Sequence, residues 1–135
     1  MKISWISFSL LLLIACQSQQ SSSNQPTEDP NNFNKIEVAE FAQQLKVNSG
    51  AQLIDVRTPE EFGNGHIEGA TNINYHDADF KSQLEQLNKE NPVFVYCRSG
   101  GRSGKSMKDF KDLGFKKVYD LKGGFNAWSR AETGQ

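Results

Sequence analysis

The sequence predicts an α/β fold, a single domain on a central, mostly parallel sheet with helices on both faces. Three observations lead there. Short apolar runs at residues 53–56, 93–96 and 118–121 alternate with stretches whose apolar residues recur every three or four positions, the pattern of strands interleaved with helices. About a hundred residues remain once an apolar leader and a polar stretch at the amino terminus are set aside, a common size for one core. A glycine-rich turn follows the middle apolar run and precedes a helical pattern. It therefore sits at the carboxyl end of a strand, where open sheets of this kind hold ligands.

Residues 1–15 are a leader to be removed before the fold is considered. Met1 and Lys2 form a short positive region, and residues 3–14 an apolar stretch shorter than the ~20 residues that cross a bilayer. Leu13-Ile14-Ala15-Cys16 resembles a bacterial lipoprotein processing box, which implies cleavage before Cys16 and a diacylglyceryl anchor on it. The alternative is an ordinary signal peptide with an incidental Cys16. The anchored reading puts the chain in the bacterial cell envelope, periplasmic or at the outer surface. Residues 16–34 then form a flexible tether, polar throughout except for Phe33 and too poor in apolar groups to offset the entropy of ordering. Its length spans about 25 Å as a coil.

The folded domain is expected at residues 35–131, with 132–135 a short tail. Ile36, Val38, Phe41, Ala42 and Leu45 recur at helical spacing, with Asn34 as cap and Gly50 beyond the end. A strand follows at 53–56. Thr58 caps a short helix with Pro59 in its first turn. Residues 73–75 are a short strand or an extended segment, and Phe80, Leu84 and Leu87 mark another helix. The strand at 93–96 is central, and Pro92 fits only at its start. Met107, Phe110 and Leu113 line a helix that begins near Ser103 and stops at Gly114. The last strand is 118–121, and residues 124–130 close the domain in a helical turn or two.

The chemistry concentrates in Cys97-Arg98-Ser99-Gly100-Gly101-Arg102-Ser103. A glycine-rich turn there points backbone N–H groups inward, and the following helix adds partial positive charge, so the loop forms an anion cup. Two arginines beside Cys97 favour its thiolate. Four residues separate Cys97 from Arg102. Cysteine phosphatases place one more between cysteine and arginine, a wider ring that fits a phosphoryl group; the shorter loop suits a sulfur atom carried as a persulfide.

This loop resembles the active-site loop of the rhodanese (sulfurtransferase) family. The resemblance extends to Leu53-Ile54-Asp55-Val56-Arg57-Thr58-Pro59-Glu60-Glu61-Phe62, to Gly65-His66-Ile67-Glu68-Gly69-Ala70-Thr71-Asn72-Ile73-Asn74, and to Leu121-Lys122-Gly123-Gly124-Phe125-Asn126-Ala127-Trp128. Four segments in the family's order make a chance match improbable. The resemblance implies a rhodanese-like domain that moves sulfane sulfur from a donor such as thiosulfate to a thiol or cyanide through a persulfide on Cys97. Backbone N–H groups of residues 98–103 would stabilise the terminal sulfur, and Arg98 and Arg102 would orient the donor's oxygens. No cofactor is implied beyond that covalent persulfide. The rivals are a non-catalytic binding or sensing module, a phosphatase disfavoured by the loop spacing, and an arsenate reductase that would need an external thiol.

Several residues keep two readings. Asp55 and Arg57 either orient the loop or form a buried ion pair. His66 is expected to make a structural hydrogen bond, His76 to lie at the surface, Trp128 to pack, with its rim as the alternative wall of the pocket, and Gly123-Gly124 to turn the chain, with close approach to the active-site loop as a second reading. Two histidines and one free thiol make no metal cluster of usual spacing. With Cys16 acylated, Cys97 has no partner in its own chain, so turnover needs an external thiol acceptor. In the helix after the loop, Gly104-Lys105-Ser106 replaces the small apolar residues frequent in the family, and Gly104 weakens the helix by up to ~1 kcal/mol. The net charge of −1 becomes −2 without Lys2. The lysines at 105, 108, 111, 116 and 117 alternate with Asp109 and Asp112 as on a solvated helix face, which argues against nucleic-acid binding. A monomer is expected.

Overall fold

The computed structural model describes residues 32–134. Cys16, the leader and most of the tether lie outside the described residues. Five strands, β1 (Phe33–Ile36), β2 (Gln52–Asp55), β3 (Thr71–Asn72), β4 (Val93–Tyr96) and β5 (Val118–Leu121), form one sheet in the order β1-β5-β4-β2-β3. Every pairing is parallel. Five helices join them: α1 (Val38–Val47), α2 (Pro59–Gly63), α3 (Phe80–Leu84), α4 (Gly101–Asp112) and α5 (Gly124–Thr133).

Strand alternation divides the core in two. In β4, Val93 and Val95 point to one face with Ile54, Val118 and Phe110, while Phe94 and Tyr96 point to the other with Phe41, Leu53 and Leu121. The first face is covered by α3 and α4. On the second, Phe41 of α1 is fully buried, edge-on to Phe94 at 5.2 Å and to Trp128 of α5 at 6.3 Å. Four fully buried residues make β4 the spine of the sheet, and Cys97 leaves its carboxyl end.

Four local expectations are corrected. Phe33 and Asn34, assigned by composition to the tether and a helix cap, belong to β1, which runs in register from Phe33 opposite Val118 to Ile36 opposite Leu121. The free edge of β5 supplies the ladder that four mixed residues do not announce by themselves. Ile36 is therefore a strand residue, and α1 begins after Glu37. The extended segment at 73–75 lies just past β3: Ile73 N–H and Tyr75 N–H still bond Asp55 and Val56 carbonyls, but Asn74 turns the chain by accepting from His76 N–H and donating to Asp77. Leu87 falls beyond the short α3, held by a turn onto Leu84 O. Helix α5 continues to Thr133, so much of the expected tail is helical.

Candidate active site

The loop between β4 and α4 is built around one sulfur. Gly100 stands at φ +97°, a left-handed conformation that glycine takes without strain, and this turns its N–H onto Cys97 Sγ at 3.1 Å. Helix α4 starts at Gly101, two residues earlier than its periodicity suggests. Ser103 therefore lies in its first turn and donates its hydroxyl to Sγ at 3.5 Å. Burial is the largest influence on Cys97 and opposes ionisation. The Ser103 hydroxyl and the backbone N–H groups of Ser103, Ser99 and Gly100 together outweigh it, so the thiol is more acidic than usual. Cys97 is 1% exposed, so this sulfur meets only small or narrow reactants unless the loop opens.

The loop is gripped from behind by the amino end of α5. Phe125 N–H donates to Cys97 O at 2.7 Å and Asn126 N–H to Arg98 O at 3.0 Å. This approach requires Gly124: at φ +58°, a Cβ there would sit 2.4 Å from Cys97 O and 2.7 Å from the carbonyl carbon of Arg98. The second reading of the glycine pair, close approach to the active-site loop, is the one this contact bears out.

The two arginines of the loop part company. Arg102 reaches α2 and makes a two-pronged ion pair with Glu61, at 2.7 and 2.8 Å, which uses N–H groups expected to face a donor's oxygens. The Arg102 hydrogen bonds hold the Glu61 carboxyl at about 2, well below its usual range, against an opposing but smaller push from burial. Glu61 also closes a capping box with Thr58 at the start of α2. Arg98, in contrast, is exposed and borders a shallow cleft with Arg57, Glu61, Asn64, Phe125 and Asn126.

Asp55 and Arg57 form a buried ion pair. The guanidinium donates to both carboxylate oxygens at 2.6–3.0 Å and to Gly65 O at 2.6 Å, and the Arg57 N–H also donates to Asp55. The pair touches the loop indirectly. Arg57 lies over the Phe125 ring, 4.2 Å from its centre, and Phe125 is the residue whose N–H holds Cys97 O. His66 makes the structural contacts expected of it, donating Nδ1–H to Phe62 O at 3.0 Å and stacking on the Phe62 ring at 3.8 Å. His76 is exposed, and Trp128 packs against α1. Among the described residues no group of His, Cys, Asp or Glu has the makings of a metal site.

Two partners of the site, and one buried carboxylate, escape local sequence reading. Glu61 shows a signal in the Thr58-x-x-Glu61 capping spacing, but its pairing with Arg102, 41 positions on, does not show. Phe125 carries no signal beyond following two glycines. Asp120 is fully buried in β5, and its one signal is a carboxylate in an otherwise apolar strand.

A parallel α/β sheet with a cysteine-centred anion cup at the carboxyl end of its middle strand defines a structural class. Within that class the chain belongs to the rhodanese-like family, whose domain matches residues 37–131. Among curated relatives it is 42% identical to the uncharacterized protein YqhL of Bacillus subtilis, over 58% of this chain and 60% of that protein. It is 40% identical to the thiosulfate sulfurtransferase GlpE of Pseudomonas aeruginosa, over 66% of this chain and 78% of that one. A solved rhodanese-like domain protein from Staphylococcus aureus superposes with a TM-score of 0.62 at 28% identity, covering 70% of this chain and 90% of the other.

Proposed function

We propose that the protein is a sulfurtransferase in which Cys97 carries the sulfur. The observation that bears most weight is the convergence of Gly100 N–H and the Ser103 hydroxyl on a buried Sγ that ionises readily. The thiolate attacks the outer sulfur of a donor such as thiosulfate; the sulfur–sulfur bond of the donor breaks, sulfite leaves with the electron pair, and a persulfide stays on Cys97. A thiol or cyanide then attacks the terminal sulfur, and Cys97 departs as thiolate. The hydrogen-bond donors that favour the Cys97 thiolate also favour the persulfide anion, so charge is accommodated through both half-reactions. Arg98, exposed at the cleft, attracts the donor's oxygens, and Arg102 chiefly fixes the loop to α2. Asp55 and Arg57 support that frame. The carrier is the cysteine alone, with no further cofactor. A lipid on Cys16 would hold the domain in the cell envelope as a monomer, with an external thiol as acceptor.

Intact mass after incubation with thiosulfate tests this reading. An added sulfur atom that is absent in Cys97→Ser and is released by cyanide as thiocyanate is the expected result. A folded protein with a titratable thiol, no adduct and no thiocyanate overturns it in favour of a binding module.

A further inference from the structure

Three arginines and two carboxylates gather beside the Cys97 loop, and all but one are paired. Arg57 gives its guanidinium to Asp55 and to Gly65 O, and lies against the rings of Tyr96 and Phe125. Arg102 gives Nη1 and Nη2 to the two oxygens of Glu61, at 2.7 and 2.8 Å. Each of these pairs is neutral. Arg98 is exposed and has no ion-pair partner among the described residues, so the cleft beside the loop carries one net positive charge. The Cys97 thiolate uses that charge in full. A reactant that brings a second negative charge finds no further free cation there.

Glu61 sets this count. Its carboxylate lines the cleft, whereas Arg102 does not. Arg102 precedes Ser103, whose hydroxyl touches Cys97 Sγ, and the charge of Arg102 bears on Cys97. Without Glu61, Arg102 would offer an incoming anion a whole charge and two free N–H groups in a planar fork. Nor is Glu61 free to swing aside. It also accepts from the Thr58 N–H at 3.0 Å and from the Thr58 hydroxyl at 3.2 Å, which fixes it to the start of α2.

We infer that Glu61 is a selectivity residue: by neutralising Arg102 it tunes the site to sulfane-sulfur donors that carry one negative charge, over dianions such as thiosulfate. Organic persulfides and thiosulfonates are donors of the favoured class. The choice of donor rests on Cys97 carrying sulfur, whereas selection by charge acts on any reagent that reaches Cys97.

Two matched pairs of reagents, applied to the full chain, test this. Thiosulfate, a dianion, and methanethiosulfonate, a monoanion, both give their outer sulfur to the Cys97 thiolate as the sulfur–sulfur bond breaks. Sulfite leaves from one and methanesulfinate from the other, each with the electron pair, so the two donors break the same kind of bond but differ in charge. With cyanide as acceptor, Glu61→Gln should raise kcat/KM for thiosulfate relative to methanethiosulfonate about fivefold to tenfold, chiefly through KM, and added salt should narrow the gain. Glu61→Asp, which keeps the charge on a shorter stem, should stay within about twofold of the wild-type ratio. A loop that was only loosened would slow both donors alike. Iodoacetate and iodoacetamide repeat the comparison with an anion and a neutral reagent and no sulfur donor, read from the mass of the Cys97 peptide. Their rate ratio should rise about threefold or more in Glu61→Gln. Arg102→Gln, which leaves the Glu61 charge unopposed, should lower both ratios whether or not Glu61→Gln folds. Ratios that stay put in folded Glu61→Gln, that shift equally in Glu61→Asp, or that rise in Arg102→Gln overturn the inference. If the alkylation ratios move as expected and no form of the protein transfers sulfur, selection by charge stands and the sulfurtransferase reading falls.

Discussion

Asp55 and Asp120 are both fully buried aspartates on strands of one sheet, and their surroundings could hardly differ more. Asp55 is saturated: Arg57 approaches it through side chain and backbone, and two aromatic rings cover the guanidinium. Asp120 has a half-exposed lysine with Nζ 3.4 Å from Oδ2, and neither of its oxygens has a hydrogen-bond partner among the described residues. Burial alone therefore says little about the role of a carboxylate. A saturated one ties neighbouring elements together and holds the frame; one without hydrogen-bond partners has no such anchoring role. Glu61 stands between them, partly exposed, paired with Arg102 and hydrogen-bonded to Thr58.

Breaking the saturated pair should have the largest effect. Arg57→Ala leaves a buried charge without a partner and removes the platform on Phe125, so denaturant unfolding should show a loss of about 3–5 kcal/mol. Gly124→Ala strikes at the joint between frame and loop. A methyl group 2.4 Å from Cys97 O, on a backbone at φ +58°, must displace the loop. A loss of roughly 2 kcal/mol is expected, with thiocyanate formation reduced far more than stability. Glu61→Gln should cost about 1 kcal/mol near neutrality, since a charge-assisted pair becomes a neutral contact at a partly exposed site. Because the folded-state carboxyl sits at about 2, below the usual carboxylate range, its contribution is full above that range and fades as pH falls through the folded value. Wild type and Glu61→Gln should thus differ by a constant amount from pH 7 to about 5 and converge towards pH 2. The smallest change in stability is expected from Asp120→Asn, within about 1 kcal/mol of wild type or above it, because an unsatisfied buried charge is removed. A loss comparable to that of Arg57→Ala would erase the contrast between the two aspartates.

What could be read from the sequence divides along a physical line. β2, β4, β5 and α4 are legible because their apolar residues sit at strand or helix spacing, and the cup is legible because its donors lie within six residues of Cys97. β1 is not, since Phe33-Asn34-Lys35-Ile36 becomes a strand through the edge of β5, more than eighty residues away. The same holds for the site's outer partners. Arg102 is adjacent to the loop glycines in sequence, yet its guanidinium is directed by Glu61 on α2, and Arg57 acts through Phe125 on α5. Residue type and spacing reveal which atom reacts, whereas its supporting groups come from pairings that no local window contains.

The grip of α5 on the loop has a consequence for how the protein is made. Chains are synthesised from the amino end, so Phe125 and Asn126, which hold the Cys97 and Arg98 carbonyls, emerge after the loop they grip. Until they arrive the cup has no back wall. A nascent chain that has not reached residue 126 lacks the two hydrogen bonds that hold the Cys97 and Arg98 carbonyls, so the cup is completed only once the amino end of α5 has been made.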